Sequence, residues 1–196
     1  MKNLLLPVAM GMLFACNTGD RKDSVEAAED ANEQKTERTT ESAPTTGPAP
    51  VVAEDDQEFV IKAASGGLME VQLGQTAAQK ANDPAVIEFA QRMVNDHGQV
   101  NSELKALAAQ KNITIPATPG EDHQEDINKL ADKTGREFDR DYMKLMVEDH
   151  KDDIDKFEKA AKDCKDPDIK AFAAKHVAHL KGHLERAQQI RDKIKR

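Results

Sequence analysis

The chain has 196 residues, 33% of them charged and only 4% aromatic, with a formal net charge of −8 at pH 7. That balance argues against nucleic acid or a polybasic membrane patch as a partner. Two cysteines, Cys16 and Cys164, cannot build a disulfide framework, and the length suffices for one domain with a sizeable core.

The chain begins Met1-Lys2-Asn3, continues with an apolar run from Leu4 to Ala15 and reaches Cys16. One basic residue followed by about a dozen apolar ones describes a secretory signal, too short to span a bilayer. The ending Leu13-Phe14-Ala15-Cys16 resembles a bacterial lipobox, although Phe14 is bulkier than the usual residue there. Residues 1–15 are therefore expected to be cleaved and Cys16 to be lipidated, which puts the mature protein in the bacterial cell envelope. There the acyl chains would hold it on a membrane surface, periplasmic or surface-exposed, with no spanning segment. The alternative is an ordinary signal peptide with a chance Cys. Cys164 then lacks a partner and is expected to be a surface or half-buried thiol.

Residues 17–54 contain no aromatic residue and are rich in Glu, Asp, Thr, Ala and Pro. Such a composition predicts a disordered tether, because it cannot bury enough apolar surface to offset its ordering entropy. Residues 55–196 carry the domain.

Asp55-Asp56-Gln57-Glu58 opens the first helix of that domain with charges suited to a helix N-terminus. This helix is predicted to reach about Ala81, with Glu70 in the middle of its apolar stripe and Gly66-Gly67 permitting a close approach. Asp83-Pro84 supplies an N-cap and a first-turn Pro for a second helix, which runs to about Gln110 and holds His97 inside its stripe. Between Lys111 and Glu137 the helical pattern breaks, apart from a short helix predicted near Glu125–Lys133. A third helix is predicted over about 138–162 with His150 on its apolar face. Asp166-Pro167 repeats the cap, and a fourth helix reaches about Ile194, with His176 and His183 inside its stripe and His179 at the edge.

An offset of 83 residues superposes Asp83-Pro84 on Asp166-Pro167, Phe89-Ala90 on Phe172-Ala173, and Val94 on Val177. Two copies of a helical hairpin joined by a long crossover specify an all-α, ferritin-like four-helix bundle.

Glu70 and His97 lie 13 and 14 residues from Asp83, and His150 and His183 lie 16 and 17 from Asp166. Equal counts from a hairpin turn mean equal height, so one carboxylate and three imidazoles are expected to converge near mid-bundle. That is how bundle metal sites are assembled. The spacing is not that of a di-iron centre, since Val94, Val147 and Leu180 stand three residues before the histidines where Glu would be needed. Met93 and Met146, each four residues before its His, add soft donors that suit copper better than magnesium or calcium. His179, at i and i+4 with His183, is a further candidate ligand. Asp96 and Asp149 lie off the stripes, placed to orient ligands or to face another helix. The cofactor reading is thus a transition metal: copper, iron or zinc. The opposing reading is a hydrogen-bonded core network in which His97 satisfies Glu70 and no metal is needed.

These residues also carry a resemblance. Glu70 after Gly66-Gly67, Met93-Val-Asn-Asp-His97, Phe138-Asp-Arg-Asp-Tyr142 through Met146-Val-Glu-Asp-His150, and His183-Leu184 with Ala187 are together similar to the domain-of-unknown-function family 4142. These are bacterial envelope proteins with a ferritin-like bundle. The resemblance covers about residues 55–193 and implies fold and location, but no activity. Many relatives carry Pro just before the Leu at position 180, where this chain has His179.

No nucleophile stands with a base in a triad-like order and no phosphate loop occurs, so the reading favours a non-enzyme. Two functional classes stay open. One is a lipid-anchored envelope protein that binds a metal ion at Glu70, His97, His150 and His183. The other is a metal-free structural or interaction module that pairs with an envelope protein or itself. Acidic runs such as Glu148-Asp149 and Asp152-Asp153 are candidates for that surface.

Overall fold

The computed structural model describes residues 22–41 and 52–195. Among them are six helices and no strand: α1 (Ser24–Glu41), α2 (Glu54–Lys80), α3 (Pro84–Gln110), α4 (Glu121–Ala131), α5 (Gly135–Asp163) and α6 (Pro167–Ile194). The signal segment and Cys16 lie outside the described residues. No described helix is long and apolar enough to cross a membrane.

The bundle proper is α2, α3, α5 and α6. Asp83 and Asp166 cap the second helix of each hairpin: Asp83 accepts from Ala85 N at 2.8 Å, and Asp166 from Asp168 N at 2.9 Å. The following Pro occupies a position whose N–H has no helical partner in any case. Helix α3 ends where Asn112 turns into the left-handed region (φ 58°), letting Ile113 N donate back to Ala108 O at 2.8 Å. The crossover then runs the length of the bundle through α4, so that α5 descends beside α2, and α6 rises beside α3. This is the expected ferritin-like connectivity.

The repeat also explains how the two hairpins are latched. Asp139, at the start of α5, accepts from the N–H groups of Asn82 and Asp83 at 2.9 Å each. Its mate under the 83-residue offset is Asp56, at the start of α2, which accepts from Lys165 N and Asp166 N at 2.9 and 2.7 Å. Each hairpin thus opens with a buried carboxylate that ties down the other hairpin's turn, where it supplies acceptors for backbone donors that no helix satisfies.

One expectation is corrected. Residues 24–41 are not an unstructured tether: α1 lies along α2 and the beginning of the crossover. Asn32 holds it there with a reciprocal pair, donating to Thr114 O at 2.8 Å and accepting from Thr114 N at 2.7 Å. Ser24 donates to Thr118 O at 2.9 Å, and Ala28 is buried. Glu, Ala, Gln and Lys favour helix even without large apolar side chains, and α1 docks mainly through polar contacts with crossover backbone. Residues 17–21 and 42–51 of the predicted tether lie outside the described residues. Helix α4 begins four residues earlier than predicted and α5 three earlier.

Cys164, expected at the surface or half-buried, is buried, and burial, reinforced by Asp56, pushes its thiol up to about 12. It is therefore a poor nucleophile at neutral pH.

Two apolar clusters fill the bundle. One packs Met69, Leu73, Phe89, Met93, Phe138, Tyr142 and Met146, and the other Val60, Ile61, Leu104, Ile154, Phe157, Ile169 and Leu180. On every bundle helix a buried polar residue stands near the level where the two sets meet: Glu70, His97, His150 and His183. A polar layer divides the core.

Candidate metal centre

The layer is a compact cluster. Ring centroids of His97, His150 and His183 lie 5.2–5.5 Å from one another. Glu70 places Oε2 2.5 Å from His97 Nδ1 and Oε1 3.5 Å from His150 Nε2. All four side chains are at least 95% buried. The structure therefore brings together the four residues that the turn counts place at one height.

Met93 and Met146 lie one turn away in the apolar cluster with Leu73 and Phe89. His179 is exposed and separate from the cluster, its ring beside His176. Asp96 performs the orienting role expected of it: its Oδ2 accepts from His183 Nε2 at 2.8 Å.

Asp149 and Asp153 correct the acidic-surface reading. Their side chains are only 11% and 13% exposed and turn toward the core. Asp149 joins Glu70 and His150 as a second group of convergent donors. Asp153 is the mate of Glu70 under the 83-residue offset, a signal the sequence contained. Tyr142, whose buried hydroxyl has no partner, was likewise not singled out as part of the site.

Protonation follows from burial. Desolvation holds His97 and His183 at about 4 and His150 well below its ordinary value, so all three are neutral at pH 7. Desolvation, with the charge of Asp153 adding to it, raises Glu70 well above the usual carboxylate range. The same causes, with Glu70 contributing, raise Asp149. Asp96 moves the other way: partial burial opposes it, but bonds from His183 and Arg92 pull it down.

Ionised Asp96 takes the Nε2–H of His183, which leaves Nδ1 of that ring as a lone pair. It faces His97 Nε2 at 3.3 Å. When Glu70 is ionised, it takes the Nδ1–H of His97, and two lone pairs confront each other; only a cation between them relieves the repulsion. When Glu70 holds a proton, it donates to His97, His97 donates to His183, and the chain from Glu70 to Asp96 closes without a metal. One position thus accepts either a proton or a metal ion.

The donors fit a metal. Two nitrogens each about 2.0–2.1 Å from a tetrahedral ion stand roughly 3.3–3.4 Å apart, which matches the separation of His97 and His183. Donor atoms of the three histidines all lie within 4.8 Å of one another. Among the described residues, Nε2 of His150 and Oε1 of Glu70 are buried 3.5 Å apart and make no close hydrogen bond, a poorly satisfied pair that an ion bound by His150 would relieve. Neutral imidazoles suit copper, zinc or iron and not magnesium or calcium.

The sequence profile of the domain-of-unknown-function family DUF4142 matches residues 41–190. The chain belongs to the DUF4142 family. No curated protein matches it in sequence. Among solved structures, a DUF305 fragment from Deinococcus radiodurans superposes with a TM-score of 0.65 at 13% identity, covering 74% of this chain and 99% of its own. CopM in its Cu(II)-bound form superposes at 0.60 and 17% identity, covering 70% of this chain and 96% of its own. CopM in its Cu(I)-bound form gives 0.58 at 18%, covering 68% and 93%. At such identities the DUF4142 chain shares a fold with these proteins.

Proposed function

We propose that this DUF4142 protein is an envelope metal-binding protein that holds one transition-metal ion, with copper the best fit, at His97, His150 and His183 beside Glu70. The observation that carries the reading is the pair of imidazole nitrogens facing each other at 3.3 Å, with the buried Nε2 of His150 beside them and in no close hydrogen bond among the described residues. Asp96 and Glu70 hold the far nitrogens, the arrangement by which proteins orient ligating histidines. CopM, a protein of the same fold, is known in Cu(II)-, Cu(I)- and Ag-bound forms, which supports a metal role for this architecture. The signal-like segment and Cys16 support export and lipid anchoring.

The test is metal analysis and titration of the full chain, purified without chelator or affinity tag. One tightly bound equivalent of copper, with release of protons on binding, is expected in wild type and not in His150→Ala. A wild-type chain that takes up no copper, zinc or iron, and whose melting temperature none of them moves, would overturn the reading. The metal-free network would then stand. It is favoured by the burial of Glu70 2.5 Å from His97 Nδ1, which raises the carboxyl and lets it supply the proton that closes the chain to Asp96.

Metabolic labelling with a palmitate analogue tests the anchor. Label is expected on wild type and absent from Cys16→Ser; absence from both would end that part of the proposal.

A further inference from the structure

The carboxylate–histidine pair of the core has a twin two turns along the same helices. His183 on α6 bonds Asp96 on α3; seven residues away on each helix, His176 Nε2 bonds Glu103 Oε2 at 3.1 Å. Lys175 also bonds Glu103 at 2.7 Å and keeps it below the usual carboxylate range. Glu103 is therefore an anion that takes the Nε2–H of His176, so Nδ1 is a lone pair. That nitrogen is buried and unpartnered, in a residue only 5% exposed. Beside it stands the exposed His179, with ring centroids 6.3 Å apart.

A cavity of about 20 Å³ joins the twin to the core, room for about one water. His176 and His179 of the twin line it together with His183, His97 and Glu70 of the core and with Asp153, whose charge acts on Glu70 and His97. Gly67 and Asn101 also form its wall. A Cβ on residue 67 would come within 2.0 Å of Asn101 Oδ1, so glycine lets Asn101 sit where it does.

We propose that His176 and His179 form a second, outer binding position for the same class of transition-metal ion, and that the cavity is the route by which the ion reaches the core. The transfer rests on the core-site reading; the outer position does not. His176 is preset by Glu103 as His183 is by Asp96, and His179 reaches solvent to capture the ion. Asp153, 3.4 Å from Lys156 Nζ, adds carboxyl oxygens to the wall of the passage.

The experiment uses the full chain and copper(II). Equilibrium dialysis counts bound equivalents, and stopped-flow transfer from a chromophoric chelator follows filling. Wild type is expected to bind two equivalents, one weaker. His179→Ala, an exposed change that leaves folding intact, is expected to lose the weaker equivalent and fill the core about tenfold or more slowly, with the core's affinity unchanged. A core-disabled chain, His97→Gln with His150→Gln, is expected to keep one equivalent and lose it on adding His179→Ala. Two outcomes overturn the proposal: filling of His179→Ala at the wild-type rate with unchanged stoichiometry, or wild type binding one tight equivalent and no weaker one, which leaves the core reading intact. Retention of the outer equivalent by a core-disabled, folded chain, when wild type itself shows no tight equivalent, sinks the core reading and not the outer position. Should the core-disabled chain fail to fold, the comparison of His179→Ala with wild type still decides the matter.

Discussion

Glu70→Gln separates the two occupants of the core, because the amide keeps the size of the side chain and removes its acid. In the proton-filled network the amide N–H₂ donates to His97 Nδ1 as the carboxylic acid would. The variant should therefore unfold in chelator within about 1 kcal/mol of wild type, or at a higher temperature, since a buried carboxyl group has gone. In the metal-filled site the anion opposite His97 Nδ1, 2.5 Å away, is lost. Removing such a partner of a ligating histidine costs about 10–100-fold in metal affinity. At a free metal concentration about a thousand times the wild-type Kd, wild type gains roughly 4.1 kcal/mol, and the variant roughly 1.4–2.7 kcal/mol less. With about 2–4 °C per kcal/mol for a chain of this size, the metal-induced rise in Tm should be smaller in the variant by roughly 3–11 °C. Calorimetric melts of both proteins, in chelator and in saturating copper, measure this. An equal metal-induced rise in the two, or a variant that melts far below wild type in chelator, would refute the reasoning.

Further outcomes follow from particular contacts. Asp139→Ala and Asp56→Ala each strip charge-assisted bonds from a hairpin turn. Each should cost about 2–4 kcal/mol in urea unfolding; a loss under about 1 kcal/mol in both would show that the latches carry little. Gly67→Ala sets a methyl group against Asn101 and should cost about 1–3 kcal/mol, whereas Gly66→Ala, with His123 at an ordinary 3.7 Å, should lose no packing; equal effects would contradict that contrast. The pH dependence follows from the depressed imidazoles. An unfolded chain takes up protons below about pH 6.5 that folded His97 and His183 refuse until about 4, so their contribution is complete above 6.5 and is lost as pH falls toward 4. By pH 5 this amounts to roughly 2 kcal/mol per imidazole, reduced by Glu70 and Asp149, whose raised values act in the opposite sense. Urea unfolding at pH 7 and pH 5 should show a smaller difference in His183→Gln than in wild type, and an unchanged difference would refute it.

The sequence by itself determined the four bundle helices, their caps and the heights of Glu70, His97, His150 and His183. Helical period and turn position are local quantities, and an antiparallel hairpin converts equal counts into equal height without further information. The duplicated Asp-Pro turn was legible for the same reason. Only the tertiary structure decided what lies between helices. That Asp149 and Asp153 face the core depends on how α5 rotates against α2, and a run of charges reads as a solvated face until its neighbours are known. Asp56 reads as a first-turn acid; it and Asp139 instead accept from backbone donors in the turn of the other hairpin, more than fifty residues away. Helix α1 was missed because composition measures burial of apolar surface, and Asn32 docks that helix through backbone hydrogen bonds instead. The choice between a proton and a metal ion at the centre hinges on a 3.3 Å distance between two ring nitrogens from different hairpins. No one-dimensional pattern holds such a distance; it exists only once four helices pack.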